Sequence, residues 1–266
     1  PYAARPGYDG LIQAMGGVMS LTGVPDGEPM KVAVPICDLM AGMYATVGIL
    51  AAVRHQAETG EGQFIDIGML DTHIGWLANQ GMNYLATGEN PDRIGNMHPN
   101  ILPYQVMPTS DGYIVLSVGN DPTFERFCKL AECEHLLEDE RFQTNAARVS
   151  NRDHVTSVLN EITNKKPSAW WLKELEREKI GCGPINNLDQ VFDDPHVKAR
   201  EMVVEMEHPA MGTKPMKLIA NPIKLSKTPP TYRKAPPMLG QHTEDILKEA
   251  GLSDDEITKL KDDGTV

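Results

Sequence analysis

The sequence lacks the short motifs by which most metal and nucleotide sites are recognised. Its eight histidines and four cysteines form no HExxH, HxH or CxxC spacing, so no metal site is predicted. Neither a Walker A loop nor a GxGxxG motif occurs, and no GxSxG sequence marks a nucleophilic serine. The common signatures of zinc enzymes, dinucleotide-binding proteins and serine hydrolases are therefore all missing, and we expect no covalently bound cofactor.

Positive charge is also scarce. The 25 lysines and arginines stand against 37 aspartates and glutamates, which gives a net charge of −12. Such a surface disfavours nucleic acid as the main partner. Four cysteines among 266 residues are too few for a disulfide scaffold and indicate a reducing compartment. We expect the cytoplasm, or a mitochondrial or other matrix in a eukaryote.

Long apolar runs are interrupted by small residues, and Arg54 and Glu58 close the longest of them. The sequence therefore predicts no membrane-spanning segment and no membrane partner. Hydrophobic residues make up 41% of the chain and charged residues 23%. This composition is typical of a globular protein that buries a sizeable core.

Asp38 stands at the start of the longest predicted helix. From Asp38 to about residue 58 the apolar residues have helical spacing, and a Gly-rich turn at 60–62 predicts the helix end. Unpaired amides and the helix dipole favour the ionised form of a carboxylate at this position. Taken alone, Asp38 is most simply a structural N-cap.

The remaining pattern predicts a mixed chain of helices and strands. A short helix should include Leu11 and Met15, and a connector rich in proline and glycine should occupy 88–111. Strands are predicted at Gln63–Gly68, 112–118 and 202–207, and helices at 70–86, near 121–133, 150–163 and 168–178, and at 244–250 and 253–261. Helix, strand and helix in this order favour an α/β layer.

Three polar loops contain glycine, at 5–9, 95–100 and 181–187. Such loops expose backbone amides that can hold an oxyanion or an anionic ligand. Each loop considered alone is more simply a turn. His98 considered alone is more simply a structural histidine.

Five segments in this order resemble family III CoA-transferases of the CaiB/BaiF type. They are RPGYD at 5–9, ICDLMAG at 36–42, GEGQ at 60–63, GCGPIN at 181–186 and LGQHT at 239–243. The resemblance extends over nearly the whole chain. It implies that Asp38 is the catalytic nucleophile, which attacks an acyl-CoA and carries first an anhydride and then a CoA thioester. Coenzyme A and acyl-CoA would be substrates. The residues expected to bind them are Tyr8, Arg5, Gly95, Asn96, His98 and Gln105.

The segments GNMHPNILPYQ at 95–105, GPINN at 183–187 and EMEHP at 205–209 resemble the succinyl-CoA:glutarate branch of this family. That resemblance implies a dicarboxylic acid acceptor and a succinyl-CoA donor. Related α-methylacyl-CoA racemases have a histidine thirty residues before the aspartate, where this chain has Tyr8. A phenol, with a pKa of about 10, is a poor general base at neutral pH. A racemase-like isomerase and a non-catalytic CoA-binding fragment remain alternatives.

The resemblance also implies the architecture. We expect an α/β fold with a Rossmann-like large domain and a smaller α+β domain, assembled as an interlocked homodimer. The predicted divisions are 1–90 for the large domain, 91–200 for the small domain, and 201–266 for a segment that returns to the large domain. Family members have a further portion before the position of Pro1, so the chain is expected to be a fragment of such an enzyme.

Overall fold

Helices occupy the first part of the chain, in a computed structural model that describes all residues from 1 to 266. They are α1 (Asp9–Met15), α2 (Val18–Leu21), α3 (Ile36–Thr59), α4 (Met69–Gly75) and α5 (Ala78–Thr87). The single helix predicted at 70–86 is thus two helices, and Ala78 at the break has a positive φ of 49°.

The strand predicted at Gln63–Gly68 is wrong. This segment has no regular secondary structure and pairs with no strand, and the Phe64 side chain is 92% exposed. Alternation of apolar and polar residues describes an extended backbone, but a strand also needs a partner for its hydrogen bonds.

Helix α3 is the longest element of the chain. It begins after Pro35, and it ends at Gly60, whose positive φ of 80° and amide bond to the Gln56 carbonyl form a glycine C-cap. Cys37 is its one buried residue, so most of its apolar side chains are exposed. The helix is long and apolar enough to cross a membrane by length and composition. The expectation that no apolar segment is long enough to span a membrane is therefore corrected. The small residues lower the hydrophobicity of the segment locally, but they do not end the helix.

A three-stranded antiparallel sheet follows, formed by β1 (Tyr104–Thr109), β2 (Gly112–Ser117) and β3 (Gly181–Pro184) in that order. Two predictions need correction. The connector at 88–111 contains β1, and the glycine-rich loop at 181–187 begins with β3. Glycine and proline are disfavoured in strands, and the pairing of both segments with β2 overrides that local preference.

Five helices lie between β2 and β3 in the chain: α6 (Asp121–Leu130), α7 (Glu140–Gln143), α8 (Asn145–Ser150), α9 (Arg152–Thr163) and α10 (Ser168–Arg177). Helices α9 and α10 contact the strands and confirm the predictions at 150–163 and 168–178. The hydrophobic core lies here, and its largest fully buried apolar side chains are Trp171, Phe124, Phe127 and Phe142.

Arg148 is fully buried in this core. Its guanidinium donates to the carbonyls of Leu102 (2.7 Å) and Phe142 (2.8 Å) and to Oδ1 of Asp121 (2.8 Å). It also lies over the Phe124 ring, 4.3 Å from the centroid. One buried cation therefore connects the end of the connector with α6, α7 and α8.

Residues Pro1–Ile185 form one compact unit and Asn186–Val266 form a second. The second unit contains α11 (Leu188–Asp193), α12 (Pro195–Ala199), the antiparallel pair β4 (Val203–Met206) and β5 (Met216–Ile219), α13 (Thr243–Glu249) and α14 (Asp254–Asp262). The strand predicted at 202–207 and both terminal helices are confirmed. The three-part division at 1–90, 91–200 and 201–266 stays a prediction.

Replacing Arg148 by alanine should lower the free energy of unfolding of the first unit by about 3 kcal/mol or more, because two buried carbonyls lose their donor. Urea unfolding followed by tryptophan fluorescence measures this change. The matched control is Arg126→Ala on α6, since Arg126 is exposed and bonds only Thr123 Oγ1 (3.2 Å). A loss no larger for Arg148→Ala than for Arg126→Ala would contradict the structural role of the buried guanidinium.

Candidate functional site

Asp38 is the third residue of α3, and its side chain is exposed. The sequence placed it at the N-cap, but the helix begins two residues earlier, after Pro35. The carboxylate accepts no hydrogen bond within the chain, and it still lies in the first turn, where the helix dipole favours negative charge. Asp38 is therefore a free, solvent-accessible carboxylate at the positive end of a 24-residue helix.

Asp9 caps α3 from another helix. Its Oδ1 accepts from the Cys37 amide (2.9 Å), and its Oδ2 accepts from Nε2 of Gln13 (2.8 Å). Pro35 has no side chain that can bond the first amides of the helix, so the acceptor comes from the start of α1. Oε1 of the fully buried Gln13 accepts from the Val32 amide (2.8 Å). The segment before Asp38 is thus tied to α1 at two points.

Cys37 and His73 form a buried contact beside Asp38. Sγ of Cys37 lies 3.3 Å from Nδ1 of His73 on α4, and both side chains are almost completely buried. Burial, with a smaller contribution from Asp9, raises the pKa of the Cys37 thiol to about 11. Burial lowers the pKa of His73. At neutral pH the contact therefore joins a neutral thiol to a neutral imidazole.

Arg5 and Tyr8 lie just ahead of Asp9. The Arg5 guanidinium is 4.0 Å from the centroid of the Tyr2 ring, and it lines a cleft of about 600 Å³ with residues of α1 and the start of α4. The Tyr8 side chain is 71% exposed. Neither residue makes a hydrogen bond or ion pair with Asp38. Both remain available to a ligand.

The loop at 95–100 is connected to the glycine-rich segment that precedes α3. The Gly95 amide donates to the Gly23 carbonyl (3.0 Å), and Nη2 of Arg93 donates to the Gly27 carbonyl (2.6 Å). Gly95 has a positive φ of 63°, and a residue with a side chain would adopt this backbone conformation only at a cost in free energy. The structure therefore joins two segments that the sequence treated separately, although no hydrogen bond links the loop to Asp38 itself.

His98 has a defined orientation within this loop. Its ring stacks on Tyr104 with centroids 5.2 Å apart, and Nδ1 accepts from the Asn100 amide (3.1 Å). Burial, and then the positive charge of Arg152, lowers the pKa of His98. Because Nδ1 is an acceptor, a neutral ring has its proton on Nε2. Asn96 is exposed and makes no side-chain hydrogen bond.

Gln105 is only 3% exposed, yet its Oε1 has no hydrogen-bond partner. Nη1 of Arg152 on α9 is likewise buried and unpartnered, while Nη2 of the same guanidinium donates to the Pro99 carbonyl (2.7 Å). Helix α9 packs against β1, which carries Gln105. Buried polar atoms without partners are uncommon and call for an explanation.

Sequence reasoning missed the network of Asp9, Gln13, Cys37 and His73. Asp9 belonged to the RPGYD segment but received no role. The other three residues are separated by 24 and 36 positions, and no spacing rule connects them. The burial of Gln13, which only the structure shows, marks the network, because glutamine is seldom buried without polar partners.

The sequence of residues 1–243 matches the profile of CoA-transferase family III. The chain belongs to this family, and the resemblance noted from its motifs is confirmed. A succinate–glutarate CoA-transferase of Agrobacterium fabrum is 42% identical over 94% of this chain and 62% of its own length. The human succinyl-CoA:glutarate CoA-transferase is 36% identical over 96% of this chain and 58% of its own length.

Solved structures share the fold. A CaiB/BaiF family protein from Brucella suis superposes with a TM-score of 0.77 at 42% identity, covering 94% of this chain and 64% of its own. A Mycobacterium tuberculosis protein superposes with a TM-score of 0.79 at 24% identity, covering 92% of this chain and 64% of its own. This match shows similarity of fold. The predicted α/β fold of CaiB/BaiF type is confirmed. The chain spans about 60% of the length of the two CoA-transferases from Agrobacterium fabrum and human.

Gly16→Ala should lower the free energy of unfolding of the first unit by about 2 kcal/mol or more, because overpacking a tight contact is costly. A Cβ at Gly16 would lie 1.9 Å from Cδ2 of His73, so the imidazole must move. Gly10→Ala is the control: it lies in α1 with nothing within 4 Å of its Cβ. Thermal unfolding should separate the two variants, and equal melting temperatures would show that His73 is not confined.

Proposed function

We propose that this chain carries the nucleophile of a CoA-transferase, and that Asp38 transfers CoA from succinyl-CoA to a dicarboxylic acid such as glutarate. The exposed, unbonded carboxylate of Asp38 in the first turn of α3 is the observation that supports this most directly. Family membership supports the reaction class, and the names of the relatives support the substrates. The whole enzyme is expected to work as an interlocked homodimer in the cytoplasm or an organelle matrix.

The reaction follows from what a carboxylate can do to a thioester. An Asp38 oxygen attacks the succinyl carbonyl, the C–S bond breaks, and an anhydride and CoA thiolate result. The thiolate attacks the aspartyl carbonyl, which releases succinate and leaves an aspartyl-CoA thioester. The acceptor carboxylate attacks this thioester, the C–S bond breaks, and a second anhydride and CoA thiolate result. The thiolate attacks the acceptor's carbonyl, which gives the acceptor's CoA thioester and frees the Asp38 carboxylate. Two rounds of the same exchange therefore need no metal and no redox cofactor.

The position of Asp38 meets two requirements of this chemistry. The nucleophile must be ionised, which the first turn of a helix favours. It must also be accessible to a bulky thioester, and no side chain within the chain occupies its oxygens. The Asp38 amide has no hydrogen-bond partner either, so it can donate to an oxyanion that develops beside the carboxylate.

We place the acceptor acid at the loop containing Gly95, Asn96 and His98. Neutral His98 offers an Nε2–H donor, and Asn96 offers an exposed amide. Behind the loop, the unpartnered Nη1 of Arg152 and Oε1 of Gln105 provide unused polar capacity. The guanidinium also supports the loop through its hydrogen bond to the Pro99 carbonyl (2.7 Å). Arg5 in the cleft beside α1 and the exposed Tyr8 would bind the CoA portion, where the cation suits a phosphate.

Two alternatives remain. An α-methylacyl-CoA racemase would need a general base at Tyr8, and exchange of the substrate α-proton with solvent deuterium, without any acid acceptor, would indicate it. A non-catalytic CoA-binding role is favoured by the exposed apolar side of α3, because the transfer reaction needs a desolvated site and this surface beside the nucleophile is open. Calorimetry with CoA together with a turnover assay separates binding from transfer.

Incubation with succinyl-CoA and then hydroxylamine should convert Asp38 to its hydroxamate, because hydroxylamine captures an activated carboxyl group. Peptide mass spectrometry locates the modification. Asp38→Ala should reduce transfer at least about 10³-fold, as expected when a covalent nucleophile is removed. Asp66→Ala is the control, since Asp66 is equally exposed but lies outside a helix start. Full transfer activity in Asp38→Ala would overturn the proposal.

His98→Ala should raise the apparent KM for glutarate about two- to tenfold, the effect of one lost neutral hydrogen bond. Formation of the Asp38 hydroxamate in the absence of acceptor should change far less. His135→Ala provides the control, because His135 is exposed on a short 3₁₀ helix. Unchanged acceptor kinetics in His98→Ala would remove this residue from the site.

A further inference from the structure

Two adjacent residues at the start of α3 have opposite environments. Cys37 is completely buried, whereas Asp38 is exposed. Consecutive helical residues point about 100° apart, so fixing the direction of the Cys37 side chain also fixes the direction from which the Asp38 side chain leaves the helix. Whatever holds Cys37 therefore orients Asp38.

Cys37 is held through both its backbone and its side chain. The amide donates to Oδ1 of Asp9 (2.9 Å), and Sγ lies 3.3 Å from Nδ1 of His73. Flanking backbone bonds, from Ile36 to the Val34 carbonyl (2.8 Å) and from Leu39 to the Pro35 carbonyl (3.1 Å), close the same turn. The ends of helices ordinarily fray, but the first turn of α3 has contacts from α1 and α4.

His73 cannot easily move away from this contact. It is 1% exposed, and the Gly16 backbone lies so close that a Cβ there would overlap Cδ2 of the ring. Its Nε2 is buried without a partner. The ring therefore makes a single hydrogen bond, between Nδ1 and the Cys37 thiol. Burying an imidazole nitrogen without a hydrogen-bond partner is unfavourable. His73 therefore has a role that an apolar side chain would not fill.

Cys37 itself is not a nucleophile. The thiol is inaccessible, and burial raises its pKa to about 11, so the reactive thiolate is absent at neutral pH. The pair also lacks the geometry of a metal site, since no group of three ligating side chains occurs among the residues 1–266. Its remaining chemistry is a hydrogen bond between neutral groups.

We propose that the buried Cys37–His73 pair is a positioning device for Asp38, which fixes the first turn of α3 so that the carboxylate meets the thioester in a reactive orientation. This inference rests on the proposed function of Asp38 and adds two residues to it. Neither residue touches substrate. Both act through the helix start, where a displacement of about 1 Å can cost about a hundredfold in rate.

The test compares variants that keep or remove the contact. Cys37→Ala removes it, Cys37→Ser keeps a donor, and His73→Asn keeps an acceptor near the position of Nδ1. Cys128→Ala is the matched control, because Cys128 is also completely buried but lies on α6 in the core around Trp171. Circular dichroism first establishes that each variant is folded at the assay temperature.

The rate of Asp38 hydroxamate formation at saturating succinyl-CoA should fall about tenfold or more in Cys37→Ala, the effect of misorientation. The succinyl-CoA concentration for half-maximal rate should stay nearly constant, because Cys37 does not contact the thioester. Cys37→Ser and His73→Asn should each recover much of the rate. A Cys37→Ala rate equal to wild type, or an equal loss in Cys128→Ala, would overturn the proposal.

Amide hydrogen exchange of peptides covering residues 36–39 provides a readout independent of turnover. Cys37→Ala should accelerate this exchange, whereas Cys128→Ala should leave it unchanged. If the wild-type chain forms no hydroxamate, the proposed function fails, and the exchange result still decides whether the pair fixes the turn. Unchanged exchange in Cys37→Ala would contradict the positioning role even in a reactive chain.

Discussion

The hydrogen bond from the Cys37 amide to Asp9 connects the parts of the chain on which the candidate site depends. It joins the start of α1 to the start of α3 across 28 residues of sequence. The same Asp9 carboxylate binds Gln13, and Gln13 binds the Val32 amide, so the intervening glycine-rich segment is held at its far end. A carboxylate at a helix N-terminus compensates the unpaired amides and the dipole together. Asp38 can therefore leave its own carboxylate unbonded, because another residue caps the helix.

The sheet-containing part of the first unit depends on a different device. Arg148 is a cation within an aromatic core, and it is tolerated because two carbonyls and the Asp121 carboxylate satisfy it. One of these carbonyls belongs to Leu102, which lies two residues after the end of the loop that contains His98. The position of the loop is thus tied to the core through a buried hydrogen bond, while its other end is tied to the glycine segment through Gly95.

Much of the secondary structure could be predicted from local patterns. The helix bearing Asp38, the strand at 112–117 and the terminal helices have clear periodicity, and glycine marks the end of α3 while Ser253 marks the start of α14. The predictions failed where pairing decides the outcome. β1 and β3 are rich in proline or glycine but become strands opposite β2, whereas Gln63–Gly68 alternates well but has no strand beside it. Periodicity describes what one segment prefers, and a sheet depends on two segments.

The sequence by itself determined the family, the candidate nucleophile and the helix that begins beside it, because motif order and apolar spacing are properties of the chain read in a line. The tertiary structure decided that Asp38 is exposed while Cys37 is buried, and that Asp9 rather than Asp38 caps the helix. It also brought His73 to Cys37 from 36 residues away. Such contacts depend on how α1, α3 and α4 pack against one another. Residues far apart in the sequence come into contact only when the chain folds, so local sequence patterns do not predict them.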